Sequence, residues 1–89
     1  MQKTLTFTKD KKKYVSKVFD FKAMCLINDK QNTKGCEGPL SMCADALDYM
    51  FEGTEATQDI IESLKPGVRA NLCLELWKMF GDELTEKKE

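Results

Sequence analysis

The sequence predicts an α+β fold, an N-terminal β-hairpin followed by a small bundle of about four helices. Three observations predict it. Residues 4–8 alternate threonine with apolar residues, and residues 14–19 resume a strand-like pattern after a lysine-rich stretch. Beyond residue 20, apolar spacing changes to the helical period, and helix-start and helix-stop residues punctuate it. At 89 residues, 42% of them apolar and 33% charged, the chain has room for one globular domain. The expected organisation is a single domain over residues 1–89. A hairpin occupies 1–19, a helical part 20–81, and a charged tail expected to fray covers 82–89.

Each element has a local reason. Leu5 and Phe7 form the apolar side of the first strand, and residues 9–13, four of them lysine, form its polar turn. Asp20 stands where a carboxylate can accept from the free N–H groups of a helix start. The first helix is short, with Phe21, Met24 and Cys25 on one side. Residues 29–38 are rich in polar and turn-forming types and read as a loop. Pro39 suits the first turn of a second helix, and Gly53 offers a left-handed stop after Glu52. Thr54 or Thr57 can cap a third helix through Ile60, Ile61 and Leu64. Pro66 breaks it and opens the fourth, which is expected to end at Gly81.

Two helices carry more apolar surface than a surface helix requires. At about 100° per residue, the apolar arc of the second helix spans about 220°, against the roughly 100° that suffices to face a core. It runs from Tyr49 and Met42 through Met50 and Leu47 to Phe51 and Ala44. The fourth helix can face a core through Val68, Leu72, Leu76 and Met79, which leaves Ala70, Leu74 and Trp77 on a second face. Either the second helix is central and surrounded, or apolar surface is offered to another chain. The second reading selects Tyr49, Met50, Leu74 and Trp77 as partner-binding residues, tryptophan as an anchor and methionine as an adaptable contact.

Charge is uneven. Residues 1–34 hold nine lysines against three aspartates, a balance of +6, and residues 35–89 balance at −7. Such polarity can favour head-to-tail contacts, or simply keep a hairpin tip soluble. A single arginine, Arg69, makes a nucleic-acid surface unlikely on composition.

The sequence carries no catalytic, cofactor-binding or metal-binding signature. There is no histidine, so Ser16, Ser41 and Ser63 lack the usual base. Cys25, Cys36, Cys43 and Cys73 are separated by ten, six and twenty-nine residues, without the close pairs of a structural zinc site. Cys25, Cys43 and Cys73 read as small hydrophobes and Cys36 as an exposed thiol. Asp45, Asp48 and Glu52 share one helical face and read as a solvated stripe. With no signal peptide or membrane span recognisable, a cytoplasmic location is expected.

The run Val18-Phe19-Asp20-Phe21-Lys22-Ala23-Met24-Cys25-Leu26-Ile27-Asn28-Asp29, placed after a short hairpin, resembles the small tail assembly chaperones of siphophages infecting Gram-positive bacteria. The similarity extends through Leu40-Ser41-Met42-Cys43-Ala44 and Phe51-Glu52-Gly53-Thr54 to the closing helix near Trp77, about residues 3–80. The resemblance implies a non-enzymatic chaperone that coats the tape measure protein and recruits major tail (tube) protein subunits. It also implies self-association, action in the bacterial cytoplasm, absence from the mature virion, and a longer frameshifted product in many members. The alternative is a small nucleic-acid-binding regulator using the third and fourth helices as a helix-turn-helix around Pro66-Gly67, with only Arg69 and Lys78 to read bases.

Overall fold

A computed structural model describes residues 3–32, 35 and 38–86, the side chain of Glu86 excepted. It is an α+β fold of one antiparallel hairpin, β1 (Thr6–Lys9) and β2 (Lys12–Val15), and four helices, α1 (Phe21–Gln31), α2 (Pro39–Phe51), α3 (Gln58–Glu62) and α4 (Pro66–Glu86).

The hairpin turns more tightly than its lysine cluster predicts. Thr6 pairs with Val15 and Lys9 with Lys12, so only Asp10 and Lys11 remain in the turn. Both have positive φ, 53° and 66°, as a two-residue type I′ connection demands. Phe7 stacks on Tyr14 across the strands at 5.0 Å and meets Phe51 of α2 edge-on at 5.3 Å. The hydroxyl of buried Ser16 accepts from the Leu5 N–H and donates to the Lys17 carbonyl, both at 2.7 Å. The Lys17 N–H then donates to the Met50 carbonyl at 2.8 Å, satisfying a carbonyl at the end of α2 that has no partner within the helix.

Asp20 caps α1 as expected, one carboxylate oxygen accepting from the Ala23 N–H at 3.0 Å. The helix continues four residues beyond Ile27, into the stretch read as loop, because Lys30 reaches Asp45 of α2 at 3.1 Å and Ile27 is sealed in the core. Gly53, with φ of 80°, ends α2 where expected. Thr54 closes that turn, donating to the Phe51 carbonyl at 2.6 Å and accepting from the Ala56 N–H at 3.2 Å. It therefore does not cap α3, and Thr57, at the cap position, makes no side-chain cap bond either.

Helix α4 runs through Gly81 to Glu86 instead of stopping. Gly81 keeps a helical backbone, and the following turn is held by an ion pair from Lys3 to Asp82 (3.6 Å) and by the Thr85 hydroxyl on the Asp82 carbonyl (2.9 Å). Residues 82–86 are thus helical, while residues 87–89 of the expected tail lie outside the described residues. One core gathers Leu5, Phe7 and Phe19 with Ala23 and Ile27 of α1, the buried face of α2, Ile61 and Leu64, and Leu72, Leu76 and Phe80 of α4. Helix α2 packs against both α1 and α4.

Candidate functional site

The surplus apolar arc of α2 is spent inside. Met42, Cys43, Ala46, Leu47, Met50 and Phe51 are all buried. Met50, selected above as a partner-binding residue, is 0% exposed, which corrects that expectation. It lies between neighbours on both sides of α2, and its carbonyl anchors the hairpin, so no face of its side chain is free to meet another chain.

Tyr49 is half-buried and tied into a polar cluster. Its hydroxyl donates to the second carboxylate oxygen of Asp20 at 2.6 Å, and the Lys17 ammonium lies 3.8 Å from the ring centroid, with that of Lys22 at 5.3 Å. This hydrogen bond lowers the pKa of Asp20 below its ordinary value and raises that of Tyr49. Tyr49 clamps the start of α1 to α2, and its ring faces the ammonium groups of Lys17 and Lys22.

Helix α4 behaves differently. Its core face is rotated towards Cys73 and Phe80 relative to the expected one, leaving Val68 and Met79 only half-buried. On the opposite flank, beyond Cys73 and Phe80, Leu74 is 47% exposed and Leu84 44%, and Ala70 is half-buried. Trp77 is half-buried, with its ring stacked on Phe80 at 5.6 Å, so it belongs partly to the core and partly to that flank. Of the four selected residues, the structure leaves Leu74 and part of Trp77 on one apolar surface.

Two apolar clefts open along this flank. One, of about 360 Å³, lies between α2 and α4, where Leu40, Ala44, Leu64, Pro66 and Ala70 meet. The other, of about 290 Å³, lies between α1 and α4 and is lined by Phe21, Met24, Cys25, Asn28, Phe80 and Leu84. At its mouth Phe21 is 78% exposed, the most exposed large apolar residue described. The sequence places these residues on one side of α1 but does not mark that side as the outward one. Phe21, Met24, Cys25 and Asn28 follow helical spacing on one side of α1, while Ala23 and Ile27 bury the other side. The segment Phe19-Asp20-Phe21 therefore divides three tasks: Phe19 enters the core, Asp20 caps α1, and Phe21 projects outward.

The remaining chemistry is quiet. Burial pushes the Cys43 thiol up to about 12 and raises that of Cys73, so both are held as neutral thiols. Cys36 lies outside the described residues. Among the described residues, no group of three cysteine or carboxylate side chains is placed to hold a metal ion, and no helix is long and apolar enough to cross a membrane. Asp48 has one buried carboxylate oxygen without a hydrogen-bond partner, beside a cleft formed by the turn between α2 and α3. The exposed polar side chains of α4 described in the structure are Asn71, Glu75, Lys78 and Thr85, a mixed set and not a basic row. Compared with known protein families, curated proteins and solved structures, the chain matches none.

Proposed function

We propose that this chain is a non-enzymatic phage tail assembly chaperone acting in the bacterial cytoplasm. In this reading, the cleft between α1 and α4 receives an apolar helix face of the tape measure protein, and the loaded chaperone helps to recruit tail tube subunits. The observation that carries the proposal is Phe21, 78% exposed at the rim of an apolar cleft whose other wall is Phe80 and Leu84. A small protein gains nothing in its own fold from exposing a phenylalanine beside further apolar surface; a docking partner that buries it does gain. Phe21 also belongs to the run that resembles the chaperone family. Trp77, two turns before Leu84 on the same helix, extends the apolar surface along α4.

Co-expression with the tape measure protein of the same genome tests the proposal. The chaperone is expected to co-purify with it and to stay bound in high salt, because apolar contact is not screened. Phe21→Asp is expected to reduce capture at least about tenfold, a loss of roughly 1.4 kcal/mol or more, with unchanged far-ultraviolet circular dichroism. Absence of capture by the unaltered chain, or full capture by Phe21→Asp, overturns the assignment.

A further inference from the structure

The hairpin has two outer edges, and among the described residues only one of them has a partner. The Ser16 N–H donates to the Leu5 carbonyl at 2.8 Å, so residues 5 and 16 are a hydrogen-bonded pair. Bonded and non-bonded pairs alternate in an antiparallel ladder, which makes Phe7 with Tyr14 and Lys9 with Lys12 the next bonded ones. The backbone N–H and C=O groups of Thr6 and Thr8 therefore point away from β2, along the outer edge of β1. The corresponding groups of residues 13, 15 and 17 point out of β2. That edge ends on α2, where the Lys17 N–H donates to the Met50 carbonyl. Thr6 and Thr8 are exposed, and among the described residues they make no hydrogen bond on their outer side.

An open edge is a template for another strand, and proline, a bulge or a covering loop commonly closes it. The segment Thr6–Lys9 has no proline, and its register with β2 runs without a bulge. Lysine alone guards it. Beside β1 lies a cleft of about 370 Å³, with Thr8, Lys9 and Asp10 on one wall and Leu64, Lys65 and Val68 on the other. Val68 lies on the opposite side of α4 from Trp77 and Leu84, so this cleft is separate from the client surface. Lys9 pairs only with the adjoining Asp10, at 3.7 Å. Lys11, Lys13 and Lys65 are exposed and have no ion-pair partner among the described residues. The acids of α4 on this side, Glu75 and Asp82, stand two turns or more beyond Val68, and Asp82 is already held by Lys3.

We infer that the open edge of β1 takes an extended, acidic segment of a partner protein as a third strand. The backbone of that segment pairs with the outward groups of Thr6 and Thr8. Its apolar side chains turn into the cleft onto Leu64 and Val68, and its carboxylates meet Lys9, Lys13 and Lys65. In this mode main-chain hydrogen bonds give affinity, and the groups flanking the edge give selection. The lysines choose the occupant: they attract an acidic strand and repel a second copy of the same edge, which brings lysine against lysine. The inference holds whichever client occupies the cleft between α1 and α4.

Nuclear magnetic resonance titration of the full, isotope-labelled chain with a synthetic heptapeptide alternating glutamate and valine tests the inference. Shifts are expected at Thr6, Thr8 and the residues lining the cleft. The amide hydrogens of Thr6 and Thr8 should exchange rapidly in the free chain and become protected on binding. A peptide alternating lysine and valine should bind at least about tenfold more weakly. Thr8→Pro removes an outward N–H that the hairpin does not use and should weaken binding at least about tenfold. Lys65→Glu should weaken it about threefold or more, and both variants should keep their circular dichroism. Absence of shifts at about 2 mM peptide overturns the inference, as does equal binding of the lysine peptide. So does binding that survives both substitutions, or protection of the Thr6 and Thr8 amides before any peptide is added. Capture of the tape measure protein by Phe21 is read separately, so failure of one assignment leaves the other standing.

Discussion

Helices α2 and α4 carry the same sequence signature, an apolar arc wider than one core face, yet they meet opposite fates. Helix α2 is central: α1 and α4 cover its sides, and the hairpin hydrogen-bonds to its last turn, so Met42, Met50 and Phe51 are all sealed. Helix α4 lies at the edge with α2 as its main neighbour, and Leu74 and Leu84 remain open to solvent. An apolar arc therefore measures demand for neighbours, and the topology decides whether the same chain supplies them.

Substitutions sharpen this contrast in descending order. Met50→Ala removes a fully buried side chain from the surrounded helix and should cost about 3 kcal/mol in urea unfolding. Trp77→Ala should cost less, about 2 kcal/mol, because only part of the indole is buried against Phe80. A charged residue at Trp77 would thus disturb folding as well as binding, which makes Phe21 and Leu74 the cleaner probes of the surface. A Trp77 effect equal to that of a full core truncation would break the comparison, since α4 would then be as enclosed as α2.

Asp20→Ala should cost about 1 kcal/mol near neutral pH by removing the cap of α1. The sign of its pH dependence follows from the Tyr49 hydrogen bond. Because folding lowers the pKa of Asp20, its stabilisation is present above the ordinary value of 3.8 and is lost as pH falls through the lowered one. The stability difference between the original chain and Asp20→Ala should therefore shrink in acid. The smallest effect belongs to Leu74→Ala, within about 0.5 kcal/mol in the dilute chain, as suits an exposed position.

The hairpin, the Asp20 cap, Pro39 at the start of α2 and Gly53 at its end were legible because each depends on a few neighbouring residues. What local pattern could not supply is which side of a helix meets another. Periodicity marks the arcs of α2 and α4 but is silent on which one lies in the middle, so it cannot tell buried Met50 from an outward residue. Gly81 reads as a stop because glycine ends many helices, but the turn beyond it is held by Lys3, from the other end of the chain. Phe21 looked like an ordinary first-turn apolar residue; its exposure follows from the orientation of Ala23 and Ile27, which only the packed structure fixes.

Methyl-resolved nuclear magnetic resonance with a soluble paramagnetic agent, on a dilute monomeric sample, tests the contrast between the two helices most directly. The methyl groups of Leu74 and Leu84 should broaden strongly, while those of Leu47 and Met50 should be protected. Equal protection of all four would mean that α4, like α2, keeps its apolar surface to itself, and the docking flank would not exist.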